Sequence, residues 1–294
     1  MRRLTQVLKK RDALSHGMAT IMPVTWQPGR RKAERALEAP YEGVPDHLRQ
    51  PLFDWIAKSL NTDYGLNTQR LSNLAVHLRI DLGSGSNHQY RALAATMHGE
   101  REFMLDVAEA LLEMHGWDDG RAQNLSATLQ SANSAYAVTD RWNGLEHRIA
   151  PGVKDAVAAA VSTAGGSAGD HLTSAWNGAY GRQSDPVKSY SESIKAVESA
   201  LAKHVSPQNG RQTLGTMIKD VGAKPSKWKF AIADGNTTGV GTVLSMMQML
   251  WDGQTSRHGG LAPTRAETLN EARAAVHLAA TLVQFGASGA FAPA

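Results

Sequence analysis

Apolar side chains recur at every third or fourth position through almost all of this 294-residue chain, and that spacing admits little besides α-helix. The clearest instance opens at Asp185-Pro186, an N-cap carboxylate followed by proline at the first helical position. Val187, Tyr190, Ile194, Val197 and Leu201 then line one face. A last long helix is expected from Thr264, with Glu267 completing a capping box and Leu269, Ala272, Val276, Ala279 and Val283 turned to the core. Near the other end, Asp46 is a natural cap for a helix over 47–60 whose stripe is Leu48, Leu52, Trp55, Ile56 and Leu60. Further helices are expected over 67–80 (Leu71, Leu74, Val76 and Leu78 inward), 90–98, 102–115 and 121–133, with Gly116 closing the one over 102–115.

The period changes once. Residues 135–139 and 145–149 are short extended runs on either side of Asp140-Arg141-Trp142-Asn143-Gly144, and Asn-Gly signals a hairpin turn. An alanine-rich helix over 153–162 follows, then the glycine-rich run 164–169, after which Asp170 is expected to cap the next helix. The organisation that results is a basic arm (1–38), a helical unit (39–134), a hairpin and linker helix (135–166) and a helical C-terminal unit (167–294). The fold class is therefore mostly all-α, two helical units with a small β-hairpin between them, the second a four-to-five-helix bundle. Short helices over 214–221 and 240–253 complete that second unit.

Composition narrows the chemistry. No cysteine is present, which excludes a disulfide framework, a thiolate zinc site and a cysteine nucleophile, and suits a reducing cytoplasm. An apolar fraction of 42% is too high for a disordered chain. The most apolar stretch, 240–251, is about half the roughly 20 residues a spanning helix needs, so no membrane partner is expected. The basic start lacks the apolar core and cleavage site of a signal peptide. The net charge of +4 is concentrated: Arg2, Arg3, Lys9, Lys10, Arg11, Arg30, Arg31, Lys32 and Arg35 crowd the first 35 residues against Asp12 and Glu34. Such an arm permits contact with nucleic acid without requiring it.

Three strings in the C-terminal unit are familiar. The run from Asp185 to Glu198, the segment Thr213-Leu214-Gly215-Thr216-Met217-Ile218, and Ser256-Arg257-His258-Gly259-Gly260 with the helix from Glu267 to Phe285 occur in that order. Together they resemble the abortive-infection C-terminal domains of the HEPN superfamily, over about residues 168–287. A looser similarity to the helical domains that precede such modules covers Tyr41 to Trp55.

The resemblance implies an RNA-directed defence protein that binds RNA, in some members cuts it without a metal or other cofactor, and pairs as a homodimer through the bundle. It places His258 and Arg257 as catalytic residues, His258 to move a proton and Arg257 to hold phosphate. Lys195, Glu198, Asp252 and Gln254 fall in the RNA-binding surface around them. The family's nuclease motif is an arginine, then four to six intervening residues, then the histidine. Here the residues at the corresponding positions are Trp251, Asp252 and Gly253, and positions 262–264 do not complete the motif forward from Arg257. Two alternatives follow: Arg257 takes the phosphate role in a variant arrangement, or the module is a non-catalytic interaction or regulatory domain.

Other features carry plainer expectations. Trp142, Trp176, Trp228 and Trp251 suit core or hairpin packing, and Met246, Met247 and Met249 suit a core helix before a dimer groove. The glycine-rich run 235–241 lacks the lysine of a phosphate loop. Arg273 and His277, one turn apart, suit a solvated helix face. The eleven histidines are dispersed, and no metal site is expected among them.

Overall fold

The structure, a computed structural model, describes residues 39–115, 120–232, 238–257 and 264–294, and Pro40–Ala294 form one unit. The basic arm, Gly116 and His258 lie outside the described residues, as do residues 235–237 of the run 235–241. The chain is mostly helical, with eleven α-helices and three two-stranded antiparallel pairs among the described residues.

Five helices build a first apolar cluster: α1 (Asp46–Leu60), α2 (Thr68–Leu78), α3 (Ser86–Gly99), α4 (Phe103–Met114) and α5 (Arg121–Ser131). The four-residue spacing of Leu48, Leu52, Ile56 and Leu60 puts all four on one face, and each is fully or almost fully buried. α4, with seven buried residues, is the centre on which α1, α2 and α3 pack. A small hairpin, β1 (Asn61–Thr62) with β2 (Gly65–Leu66), joins α1 to α2 and was not legible in the apolar pattern. Two readings need correction. Asp46 is the first helical residue rather than the cap; Pro45 holds the cap position and the Asp46 carboxylate accepts from Arg101 at 2.6 Å. Val76 is 78% exposed, because the buried stripe of α2 runs through Leu71, Leu74 and Ala75, and residue 76 lies a further hundred degrees around the helix.

The expected hairpin is present as β3 (Tyr136–Val138) paired with β4 (Leu145–His147). Its connection is longer than a two-residue Asn-Gly turn. It runs from Thr139 to Gly144, closed by the Thr139 N–H donating to the Gly144 carbonyl at 3.0 Å, with Trp142 left-handed at φ 59°.

A second cluster is made by α6 (Pro151–Ala164), α7 (Gly166–Tyr180), α8 (Pro186–Val205) and α11 (Leu269–Ala287), with α9 (Leu214–Ala223) and α10 (Thr238–Asp252) against them. α8 and α11 pack along each other, and α7 lies on both. Asp170 is inside α7 rather than at its start. The glycine run is itself helical from Gly166, and α6 and α7 are parted by Gly165 alone, at φ 57°. Glycine at that joint supplies the left-handed φ that lets two helices meet with no intervening loop. The Asp185 cap behaves as read: its carboxylate accepts from the Lys188 N–H at 3.0 Å. The chain ends in β6 (Phe291–Pro293), which pairs with β5 (Trp228–Phe230), a contact no local pattern announced.

The capping box of the last helix is displaced by four residues. Thr268 caps, its hydroxyl accepting from the Glu271 N–H at 3.3 Å, while the Glu271 carboxylate accepts from the Thr268 N–H at 2.8 Å. Thr264 with Glu267 satisfies the same sequence rule, but the Glu267 side chain is drawn inward instead. The Glu271 carboxyl sits far below the usual carboxylate range, at about 2, chiefly because Arg265 and then Thr268 hold the charged form. A depressed carboxylate contributes stability above its unfolded pKa and loses it as pH falls through the folded one. The difference in denaturation midpoint between the natural chain and Glu271→Gln is therefore expected at pH 7 and should close between about pH 4.5 and 2. A gap unchanged at the acid end would assign the effect to packing instead.

Candidate functional site

The three familiar strings, spread over more than seventy residues of sequence, meet in space. α8 contributes Tyr190 and Glu198, the start of α9 contributes Leu214 and Gly215, the end of α10 contributes Trp251, and the chain beyond carries Gly253, Arg257 and Glu267.

Glu198 reaches across to α9, where its carboxylate accepts from the Leu214 N–H at 2.6 Å. That bond satisfies one of the amides a helix start leaves unpaired. Burial pushes the Glu198 carboxyl above its ordinary value, against the downward pull of that amide and of Lys195, His171 and Arg257. Lys195, one turn earlier, is half-exposed and pairs with Glu192 at 2.7 Å, and Glu192 in turn holds His171.

Trp251 rests on the backbone of α9: a Cβ added at Gly215 would lie 2.7 Å from its ring. Arg257 lies on the Trp251 side of the loop. Its guanidinium carbon is 3.5 Å from the indole centroid, and its Nη1 donates to the Trp251 carbonyl at 2.8 Å. A guanidinium stacked on an indole and tethered by a carbonyl has few rotamers left, so its donors point in a fixed direction. Asp252 accepts from Gln248 at 2.7 Å on the outer side of α10, and Gln254 is half-buried just past Gly253.

Glu267, read in the sequence as a capping residue, is 4% exposed and anchors the loop. It accepts from the Ser256 N–H at 2.8 Å, with the Thr255 hydroxyl at 3.5 Å. Tyr190 completes the arrangement. Burial first, then the negative charge of Glu267, pushes its hydroxyl up to about 12, so it stays protonated at neutral pH. Neither Glu267 nor Tyr190 was singled out in the sequence as a site residue; both lay in apolar or capping patterns that already had an explanation.

Gly253 is where α10 and Tyr190 come closest. A Cβ there would stand 2.3 Å from the Tyr190 hydroxyl and 3.0 Å from the Met249 carbonyl. The backbone at Gly253 is not left-handed, so the cost of Gly253→Ala comes from that clash. Destabilisation of about 1–3 kcal/mol is expected, as for other overpacked sites. Adding Tyr190→Phe should restore most of the loss, because it removes the clashing oxygen. Denaturation midpoints of the two single variants and the double variant test this, and additive losses would show that the two sites are not in conflict.

The pair Arg273 and His277 departs from the solvated face expected of it. His277 Nε2 is 2.6 Å from the Tyr180 hydroxyl and its ring packs edge-on against Trp176, while Arg273 sits over the Tyr180 ring. Burial lowers the His277 pKa, favouring the neutral imidazole. The methionines divide: Met247 is fully buried, whereas Met249 is 68% exposed on the outer face of α10.

Among the described residues, no helix is long and apolar enough to cross a membrane, and no group of three or more histidine and carboxylate side chains is placed to hold a metal ion. Comparison with protein-family models, with curated proteins and with solved structures finds no match for this chain.

Proposed function

We propose that the C-terminal bundle is an RNA-directed module of the abortive-infection HEPN type, acting in the cytoplasm as a symmetric homodimer, with Arg257 and His258 at its working end. The observation behind this reading is the meeting of three sequence strings around one oriented arginine. Helix α8 through Glu198, helix α9 through Leu214 and Gly215, and the loop through Trp251 and Glu267 all bear on the placement of Arg257. In the catalytic form of the reading, His258 accepts the proton of a ribose 2′-hydroxyl, the 2′-oxygen attacks phosphorus to give a 2′,3′-cyclic phosphate, and the bond to the 5′-oxygen breaks as that oxygen takes a proton from water. Arg257 holds the non-bridging oxygens as charge builds on them.

A second reading, a non-catalytic interaction or regulatory module, has its own support. Asp252, Glu267 and Glu271 all act on Tyr190 alongside Arg257, and Glu198 also lies in the field of that arginine. Carboxylates that act on the same tyrosine as that guanidinium oppose the approach of a polyanion.

Incubating the full chain with total RNA and labelled transfer RNA in EDTA, beside Arg257→Ala and His258→Ala, separates the two. Cleavage that survives chelation and is lost in His258→Ala supports the ribonuclease. RNA binding without cleavage, weakened in Arg257→Ala, supports a binding module, and folded protein that neither binds nor cuts RNA leaves the second reading.

A further inference from the structure

A cleft of about 360 Å³ opens where the β3–β4 connection faces α6 and α7, far in sequence from the arginine site. One wall is apolar: Val157, Ala158 and Val161 lie along α6 and Trp176 stands on α7. One turn before Val157 on the same helix, Lys154 reaches across to the hairpin side, where it is held between the Asp140 carboxylate at 2.8 Å and Glu146, whose side chain is 11% exposed. That trio carries a net charge of −1, which leaves Arg141 as the cation free to meet an anion, and it fixes the hairpin loop to α6.

The rim is rich in donors. Arg141 is exposed beside the cleft. Asn143 uses its carbonyl oxygen to accept from the Thr139 hydroxyl at 2.9 Å, which leaves its NH₂ to face a guest. Asn177 and the Ser162 hydroxyl add further polar contacts across the opening. An apolar slot under a rim of cationic and amide donors fits an apolar body that carries an anionic group, and the volume lies in the range of small-ligand sites.

We propose that this cleft binds a flat heterocycle bearing an anionic group, of the size of a nucleoside monophosphate, the ring against the α6–Trp176 wall and the anion at Arg141. Val138 and Leu145 of the hairpin belong to the first apolar cluster, whereas Val157 and Trp176 belong to the second. The cleft itself is lined by Val157 and Trp176 of the second cluster and by Thr139, Asp140, Arg141 and Asn143 of the loop between Val138 and Leu145, so a guest bridges that loop to the second cluster, which makes the cleft a sensing site independent of any activity at Arg257.

The test is calorimetric titration of the full chain with adenosine 5′-monophosphate, adenosine and inorganic phosphate, with thermal denaturation in parallel. The monophosphate is expected to bind with Kd below about 1 mM. It should also bind at least about tenfold more tightly than either fragment, since each lacks one half of the recognition. Arg141→Ala changes an exposed side chain and should bring the monophosphate down to the affinity of adenosine. Ala158→Trp should fill the slot and abolish binding with the fold intact. No heat from the monophosphate at about 10 mM overturns the proposal. So does equal binding of either fragment, or an Arg141→Ala variant that binds unchanged.

Discussion

Arg182→Ala is expected to cost about 3–5 kcal/mol of stability, because it strands a buried carboxylate. Arg182 follows α7 and its side chain is 11% exposed. It pairs with Asp106 and, at 3.3 Å, with Glu109, both on α4. The Glu109 carboxylate also accepts from the Leu145 N–H at 3.3 Å, and the Arg182 N–H donates to the Leu145 carbonyl at 3.2 Å. One guanidinium thus ties α4 of the first cluster, strand β4 and the end of α7 of the second. Burial already raises the Glu109 carboxyl against the pull of Arg182, so removing that counter-charge leaves a group that resists ionisation. A raised carboxylate favours folding at low pH and opposes it as pH rises through the unfolded pKa. The deficit of Arg182→Ala should accordingly shrink as the medium is made acidic enough to protonate Glu109. Urea denaturation followed by tryptophan fluorescence and by circular dichroism gives the measurement. The paired replacement Glu109→Gln with Arg182→Met should recover much of the loss, since a neutral pair carries no stranded charge. A single-variant loss below about 1 kcal/mol would class the clamp with ordinary surface ion pairs.

Phe291→Ala should be comparably damaging, about 3–5 kcal/mol, as for other large aromatic side chains removed from a core. Phe291 is fully buried three residues before Ala294, and its ring stacks on Trp228 with centroids 5.2 Å apart. Strand β6 is held to β5 by pairing of Phe291 with Phe230, and the Ala294 N–H donates to the Lys227 carbonyl at 2.8 Å. Phe230 in turn packs edge-on against Phe285 of α11 at 4.9 Å. Loss of the Phe291 ring should free Trp228 to solvent, read as a red shift of its emission together with a lower melting temperature. A variant that keeps both the natural emission and the natural midpoint would show that the terminal strand is dispensable.

Much of the helical plan was legible because its signals are local. Asp185-Pro186 and the four-residue spacing from Leu48 to Leu60 each act within one or two turns. The two short pairs β1–β2 and β5–β6 were not, since two or three residues carry no readable alternation, and β5 and β6 lie more than sixty residues apart. At the site, Arg257 was legible only through its place in a familiar string. Its orientation depends on Trp251, Gly215 and Glu267, residues whose patterns already made sense as core, helix and cap.

The amino-acid sequence by itself determined that the chain is helical, where most helices begin, which faces are buried and where the single change of period falls, because backbone propensity, capping and apolar periodicity act over a few residues. Tertiary structure alone decided the rest. It chose Thr268 over Thr264 as the last cap, drew Glu267 inward beneath Ser256, turned His277 onto Tyr180, and set Arg182 between Asp106 and Glu109. Each of those outcomes depends on which distant side chain fills the space alongside, and packing, burial and charge pairing between distant segments are settled only when the whole chain has closed on itself.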